Sequence, residues 1–297
     1  MACRLPVELS GEIISYLWND NPTLEACSLT CRAMTHPSQK RLFHSVAIYP
    51  PPELLKAKYT NSWPSNATIG SFSKFRQLLD RSPHIAEYII SLHLLDLRWY
   101  YKAEMPELEC PKVGEYLGSK PLWPEDFRWL LTDTSLPSYW PLLGKLKALT
   151  IEYDGYLCRG GCSTLLHTFQ QPSLLCIRIL CGPYPIKSLS SAIGPNVKHL
   201  VRLREHHLEN ERFYTFLSDP PSSPVYLDTL AIDYPSVFVS SLMSDPTFRL
   251  QTSRLRRLFI SAKLLSSENQ HLATWIILQT CSDILEEFEF VPCRRRG

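Results

Sequence analysis

The stretch Leu255-Arg256-Arg257-Leu258-Phe259-Ile260 decides how most of this chain is read. Leu255, Leu258 and Ile260 are separated by two variable residues and then by one. The last pair alternates as a half-buried strand requires, because successive side chains leave a strand on opposite faces. The arrangement returns as Ile89…Leu92-His93-Leu94, Leu146…Leu149-Thr150-Ile151 and Leu174…Ile177-Arg178-Ile179. It returns again as Leu227…Leu230-Ala231-Ile232 and Leu285…Phe288-Glu289-Phe290. A weaker copy at Val197…Leu200 either carries Arg202 where an apolar residue belongs or slips by one to use Leu203.

The central residues 92, 149, 177, 200, 230, 258 and 288 are spaced by 57, 28, 23, 30, 28 and 30. A recurring spacing near 28 marks a chain of repeated supersecondary units. The first gap is close to two periods, so one unit is hidden or replaced between residues 100 and 145. Helix-compatible runs fill the intervals at Phe72–Leu79, Asp126–Leu131, Thr164–Phe169, Ile186–Ile193, Arg212–Leu217, Val237–Met243 and Asn269–Thr280. Pro83, Pro137, Pro172, Pro195, Pro224 and Pro246 fall at or near the corners between helix and next strand. Strand then helix, repeated, gives a parallel sheet with helices on its outer side. The competing reading is an irregular α/β domain whose strands happen to be evenly spaced. The aromatic stretch from Trp99 to Trp140 fits no unit and reads as an irregular insertion, at about residues 99–142, packed on one end.

The repeat resembles the leucine-rich repeat in a degenerate form. That family ladders its turns with an Asn after the last apolar position. Here Asp154, Gly182, Pro235 and Lys263 stand in the equivalent neighbourhoods.

Composition excludes several classes. The chain has 297 residues, enough for a small domain plus a large one, and 44% are apolar, so a sizeable core is expected. Its 31 basic and 29 acidic residues leave a net charge of +2, with no basic stripe for nucleic acid. Arg294-Arg295-Arg296, the only basic cluster, reads as a solvated end. Glu8 and Glu12 interrupt any signal-peptide core, and no stretch reaches the 18 apolar residues of a membrane span. The cytoplasm or nucleus is therefore expected, with the ten cysteines reduced.

The N-terminal segment carries a different pattern. Leu5-Pro6-Val7-Glu8-Leu9 is followed by Ile13 and Leu17, with Leu9, Ile13 and Leu17 at i, i+4, i+8 on one helical face. Pro6 suits the first helical position. Asn21 then reads as an N-cap with Pro22 as the next first position, and Leu24, Cys27 and Cys31 form a second stripe. A third helix starting at Pro37 carries Leu42 and Phe43 inward. Taken together, Leu5-Pro6-Val7-Glu8-Leu9, Ile13, Leu24-Glu25-Ala26-Cys27-Ser28-Leu29-Thr30-Cys31-Arg32 and Arg41-Leu42-Phe43 resemble an F-box of the fungal type. Two features depart from a favourable copy. Met34 stands where the family often has Trp, and Gly11 inside the first helix costs up to about 1 kcal/mol against Ala.

The resemblance implies an α+β chain: a three-helix F-box over residues 1–48, then an irregular, solenoid-like repeat domain with a parallel sheet over 49–297. It implies an adaptor whose F-box binds a Skp-family linker protein, itself bound to a cullin scaffold, while the repeat domain binds a protein substrate. The alternative is an F-box interaction or scaffold protein acting without ubiquitin transfer. Linker-binding residues carried over are Leu5, Pro6, Leu9, Ile13, Leu17, Leu24, Cys27, Leu29 and Cys31, with Leu5 and Pro6 foremost. On the repeat strands, Glu152, Arg178, Asp233, Arg257, Phe259 and Glu289 alternate with the apolar signature and are expected to face outward as a substrate surface.

Catalytic and metal patterns are missing from the sequence. Cys158 with Cys162 and Cys176 with Cys181 lack the partners and spacing of a zinc site. His206 and His207 are adjacent and diverge on a helix. Glu286, Glu287 and Glu289 read as a solvated face flanking an inward Phe288. No cofactor, metal, membrane or nucleic-acid partner and no enzyme activity is expected.

Overall fold

A computed structural model of the chain describes residues 6–18, 20–49, 68–95, 136–152, 168–180, 186–204, 223–233, 235, 237–263 and 268–293. Helices and parallel strands are both present, and the chain divides into two compact units. The first comprises residues 1–129 and 141–146, and the second residues 130–140 and 147–297. The aromatic stretch up to residue 135 and the expected helices at 126–131 and 212–217 lie outside the described residues.

The first unit opens with three helices, α1 (Val7–Ser15), α2 (Asn21–Thr30) and α3 (Arg32–Leu42). Pro6 is the N-cap of α1 and not its first residue, and its carbonyl accepts from Ser10 N at 3.1 Å. Asp20, not Asn21, caps α2: its carboxylate accepts from Thr23 N at 3.1 Å and Thr23 Oγ1 at 2.6 Å. Pro22 lies in the first turn of α2, where no N–H is missed. α3 starts at Arg32, five residues earlier than Pro37, and contains it. It begins where the Cys31 carbonyl accepts from Met34 N and Thr35 N, while Thr35 Oγ1 ties it to Ser28 O of α2 at 3.0 Å.

A small core of Ile14, Leu24 and Leu42 holds these helices, with Leu17, Cys27 and Phe43 packed around it. The buried face of α1 is therefore Ser10 and Ile14, one position round the helix from the Leu9–Ile13 row. The strands β1 (Ser45–Tyr49), β2 (Thr68–Ser71) and β3 (Ser91–Leu95) follow, in the order β3-β1-β2, with α4 (Phe72–Arg81) and a 3₁₀ turn (Pro83–Tyr88) between the last two. All pairings are parallel: Val46 and Ile48 of β1 stand opposite Leu92 and Leu94 of β3, and all four are buried.

The second unit has a short helix α5 (Leu136–Tyr139) and then β4 (Ala148–Glu152), β5 (Cys176–Leu180), α6 (Ile186–Ala192) and β6 (His199–Arg204). These are followed by β7 (Val225–Tyr226), β8 (Thr229–Asp233), α7 (Val237–Ser244) and β9 (Leu250–Gln251). The last elements are β10 (Arg257–Lys263), α8 (Glu268–Cys281) and β11 (Glu287–Cys293). The main sheet of this unit runs β11-β10-β8-β6-β5-β4, and β7 pairs with β9 in a small second ribbon. Every pairing given by the register is parallel, and the apolar signature lines up across it. Leu149, Ile177, Leu200, Leu230, Leu258 and Phe288 form one column, and Ile232, Ile260 and Phe290 belong to the next. At the weak copy the register shifts between Leu200 and Leu203, which puts Leu203 opposite Ile232. The irregularity thus carries the chain past Arg202.

A backbone ladder joins the strands at their entrances. The Lys147 carbonyl accepts from Leu175 N and Cys176 N, both at 2.9 Å. Leu175 O accepts from Lys198 N and His199 N, and Lys198 O from Asp228 N and Thr229 N. Asp228 O accepts from Arg256 N and Arg257 N at 3.0 Å, and Arg256 O from Glu286 N and Glu287 N at 2.8 and 3.0 Å. In the first unit, His44 O likewise takes Ile90 N and Ser91 N at 3.0 Å. One carbonyl per strand thus fixes the register of the next.

Side chains stitch the intervals. Arg249 donates to the Ser190 and Ser223 carbonyls, and Gln251 Nε2 to the carbonyls of Asp245, Pro246 and Phe248. Thr252 Oγ1 bonds Met243 O and Thr280 Oγ1 at 3.2 and 2.9 Å. Gly194 sits where an added Cβ would come within 3.0 Å of the Phe169 carbonyl, which accepts its N–H, so only glycine allows that approach without a shift.

Two substitutions separate core from surface. Leu24→Ala should lower the stability of the first unit by about 2–5 kcal/mol in urea unfolding, because it opens the helical core. Leu29→Ala, on an exposed side chain of the same helix, should stay within about 0.5 kcal/mol of wild type.

Candidate functional site

Two surfaces gather the residues singled out above. The first is an exposed apolar row on α1, with Leu29 exposed on α2. With Ile14, Leu24 and Leu42 closing the interior, Leu9, Ile13, Tyr16 and Leu29 remain in solvent, Leu29 at 88% exposure and Tyr16 at 80%. Leu9, Ile13 and Tyr16 recur at i, i+4, i+7, so they occupy one face of the first helical segment. A bundle of this size holds few leucines internally, and large apolar side chains left grouped outside it are costly to solvate. Pro6 and Cys31 are exposed as well.

The expected binding set is corrected at one residue and refined at two. Leu24 is fully buried in the helical core, so its side chain is not on the surface. Leu17 and Cys27 pack against that core with part of their surface left open. Leu5 lies outside the described residues. Tyr16 was missed by sequence, although its i+3 relation to Ile13 gave the signal. Trp18 flanks the surface, with the Arg41 guanidinium 4.7 Å from its ring centroid and His44 edge-on at 5.1 Å.

The second surface is the open face of the β4–β11 sheet. Across the register, Cys176, His199, Thr229, Arg257 and Glu287 make one row. Thr150 and Arg178 belong to the adjacent row at one end, and Ala231, Phe259 and Glu289 at the other. Arg178, Arg257 and Glu289 are exposed, as the alternation requires, while Phe259 and Asp233 are half-buried. The side chain of Glu152 lies outside the described residues. His199 Nδ1 contacts Thr229 Oγ1 at 3.0 Å across the strands.

One expectation about this sheet fails. Phe288 does not point into a core: Phe288 and Phe290 are 45% and 38% exposed, although their column neighbours Leu258 and Ile260 are fully buried. The alternation is kept, but no described strand lies beyond β11 to cover the apolar side. Glu287 and Glu289 do occupy a solvated face.

The thiols and histidines show no activated nucleophile among the described residues. Burial pushes the thiols of Cys176 and Cys281 up, which disfavours the thiolate. No group of His, Cys, Asp and Glu capable of holding a metal ion occurs among the described residues. Cys158, Cys162, Cys181, His206 and His207 lie outside them. No described helix is long and apolar enough to cross a membrane. No protein-family model matches the chain, and no curated protein matches it.

Burial holds His44 below its ordinary value of 6.5, and the nearby Arg41 and Lys40 charges act in the same direction. His199 is lowered too, first by burial and then by Arg257 and Lys198, against an opposing pull from Asp228. A histidine with a depressed folded value binds fewer protons folded than unfolded. Its contribution is therefore present above pH 6.5 and lost as the pH falls through the folded value. The ring-proton NMR titrations of His44 and His199 should each have a midpoint below 6.5. The fall in Tm between about pH 7 and pH 5 should be shallower in His44→Asn and His199→Asn than in wild type.

Proposed function

We propose that this chain is a substrate-recognition adaptor of a cullin-type (SCF) ubiquitin ligase. α1–α3 form its F-box and bind a Skp-family linker protein, which connects the chain to a cullin scaffold. The sheet-bearing remainder, a degenerate leucine-rich-repeat-like solenoid, receives a protein substrate. The observation that carries this reading is the apolar row Leu9, Ile13 and Tyr16 left exposed on α1, together with Leu29 exposed on α2, in a bundle whose own core is already closed by Ile14, Leu24 and Leu42. Those side chains contribute little to the bundle, and a helix-binding partner would remove them from water at roughly 1.5–3 kcal/mol for each one fully covered.

The motif residues agree with that division of labour. Leu9, Ile13, Leu29 and Cys31 belong to the stretches that resemble the F-box, and all are accessible. Met34 and Pro37 lie half-buried in α3, so the missing Trp alters packing within the bundle. For the substrate, the open sheet face offers Arg257 opposite Glu287 and half-buried Phe259 opposite Glu289 at one end, and Arg178 on β5 towards the other. A mixed-charge face of this kind suits a folded or extended polypeptide better than nucleic acid.

Leu9→Ser combined with Leu29→Ser should weaken binding of a purified Skp-family linker by at least about tenfold in calorimetry, with the Tm nearly unchanged. Full-strength binding by that double variant would remove the assignment. On the sheet, Arg178→Ala with Phe259→Ala should reduce recovery of whichever ubiquitinated protein depends on this chain in cells, while linker binding stays intact.

A further inference from the structure

The outermost strand of the second unit has the properties of an unfilled pairing site. In the ladder of entrance carbonyls, Lys147, Leu175, Lys198, Asp228 and Arg256 each accept two consecutive N–H groups from the next strand. Glu286 is the next carbonyl in that series, and no N–H of a described residue reaches it. The apolar columns end in the same way. Leu258 and Ile260 are buried in theirs, whereas Phe288, Phe290 and the preceding Ile284 are left open. The helix leading into this strand repeats the pattern, since α8 buries Ala273, Ile277 and Cys281 but exposes Leu272 and Trp275. Backbone, strand face and helix face are thus all incomplete at one end.

We propose that β11 is a docking edge for an extended segment of a protein partner. The segment pairs parallel to β11 and alternates large apolar residues with Lys or Arg. Parallel pairing follows from the ladder, whose open step calls for two successive N–H groups entering beside Glu286. The apolar residues continue the columns of Phe288 and Phe290. The basic ones stand opposite Glu287 and Glu289, which make no salt bridge among the described residues, whereas Glu286 is engaged by Arg256 at 3.3 Å. Pro292 has no N–H to offer and closes the window at Val291. Exposed charges and a proline also guard free edges against aggregation. Guarding explains Glu287, Glu289 and Pro292 but not the exposed Phe288, Phe290 and Trp275. A second copy pairing edge to edge would bring two rows of glutamates together, so charge disfavours self-association at this strand. This inference does not depend on linker binding by α1–α3.

The test uses the full chain and a fluorescent synthetic peptide alternating Arg with Ile over seven residues, read by anisotropy. Saturable binding is expected. It should weaken about tenfold in the Glu287→Lys, Glu289→Lys variant and be regained when that variant meets the same peptide with Glu in place of Arg. N-methylation of alternate peptide nitrogens should abolish it, since the ladder step is then blocked. Because both glutamates are exposed, the charge-reversed chain should keep its wild-type Tm. Absence of binding, equal binding by the charge-reversed chain, or binding that survives N-methylation would overturn the proposal. So would a dimer in sedimentation velocity that Phe290→Pro dissociates, because the edge would then belong to a second copy.

Discussion

The carbonyl of the residue just ahead of each strand governs this molecule. In the second unit, one oxygen accepts two neighbouring N–H groups from the strand that follows, and that strand's own entrance carbonyl does the same for the next. A backbone bond is indifferent to side chains, so the register passes along the sheet although Leu175, Asp228 and Arg256 are apolar, acidic and basic. With the entrances aligned, Leu149, Ile177, Leu200, Leu230 and Leu258 are carried into a single buried column. A one-residue slip would turn each of them toward water. Gln251, Thr252 and Arg249 add side-chain bonds in the turns.

The strands were legible because their signal is dense and local. Alternation of period two located Leu92–Leu94, Leu149–Ile151 and Leu258–Ile260, and the apolar runs at 72–79, 186–193, 237–243 and 269–280 located four of the helices. Other features depended on neighbours that a sequence does not display. Leu203 replaces Arg202 only because β6 is irregular against β8. Phe288 looks inward by its pattern and lies exposed because nothing described covers β11 on its far side. The short ribbon β7–β9 pairs residues too few to show a period.

At the N-terminal helices, sequence located the apolar row of the first helix but not the row that is buried. Leu9, Ile13 and Leu17 satisfy helical periodicity, yet Ser10 and Ile14 are the buried ones, since periodicity alone does not say which of two apolar stripes a small bundle keeps. Pro37 reads as a helix start, but the Cys31 carbonyl had already collected Met34 N and Thr35 N and begun the helix upstream. The same packing that buries Leu24 leaves Leu29, five residues on, almost wholly in solvent. That division gives the adaptor reading its physical basis: one stripe is used for folding and the other remains for a partner.

Hydrogen exchange of the full chain, with and without a purified Skp-family linker, tests that reading most directly. The account predicts slowed exchange confined to α1 and α2, over residues 7–30, with the sheet of the second unit unchanged. No protection anywhere, or protection in the sheet without the helices, would contradict it.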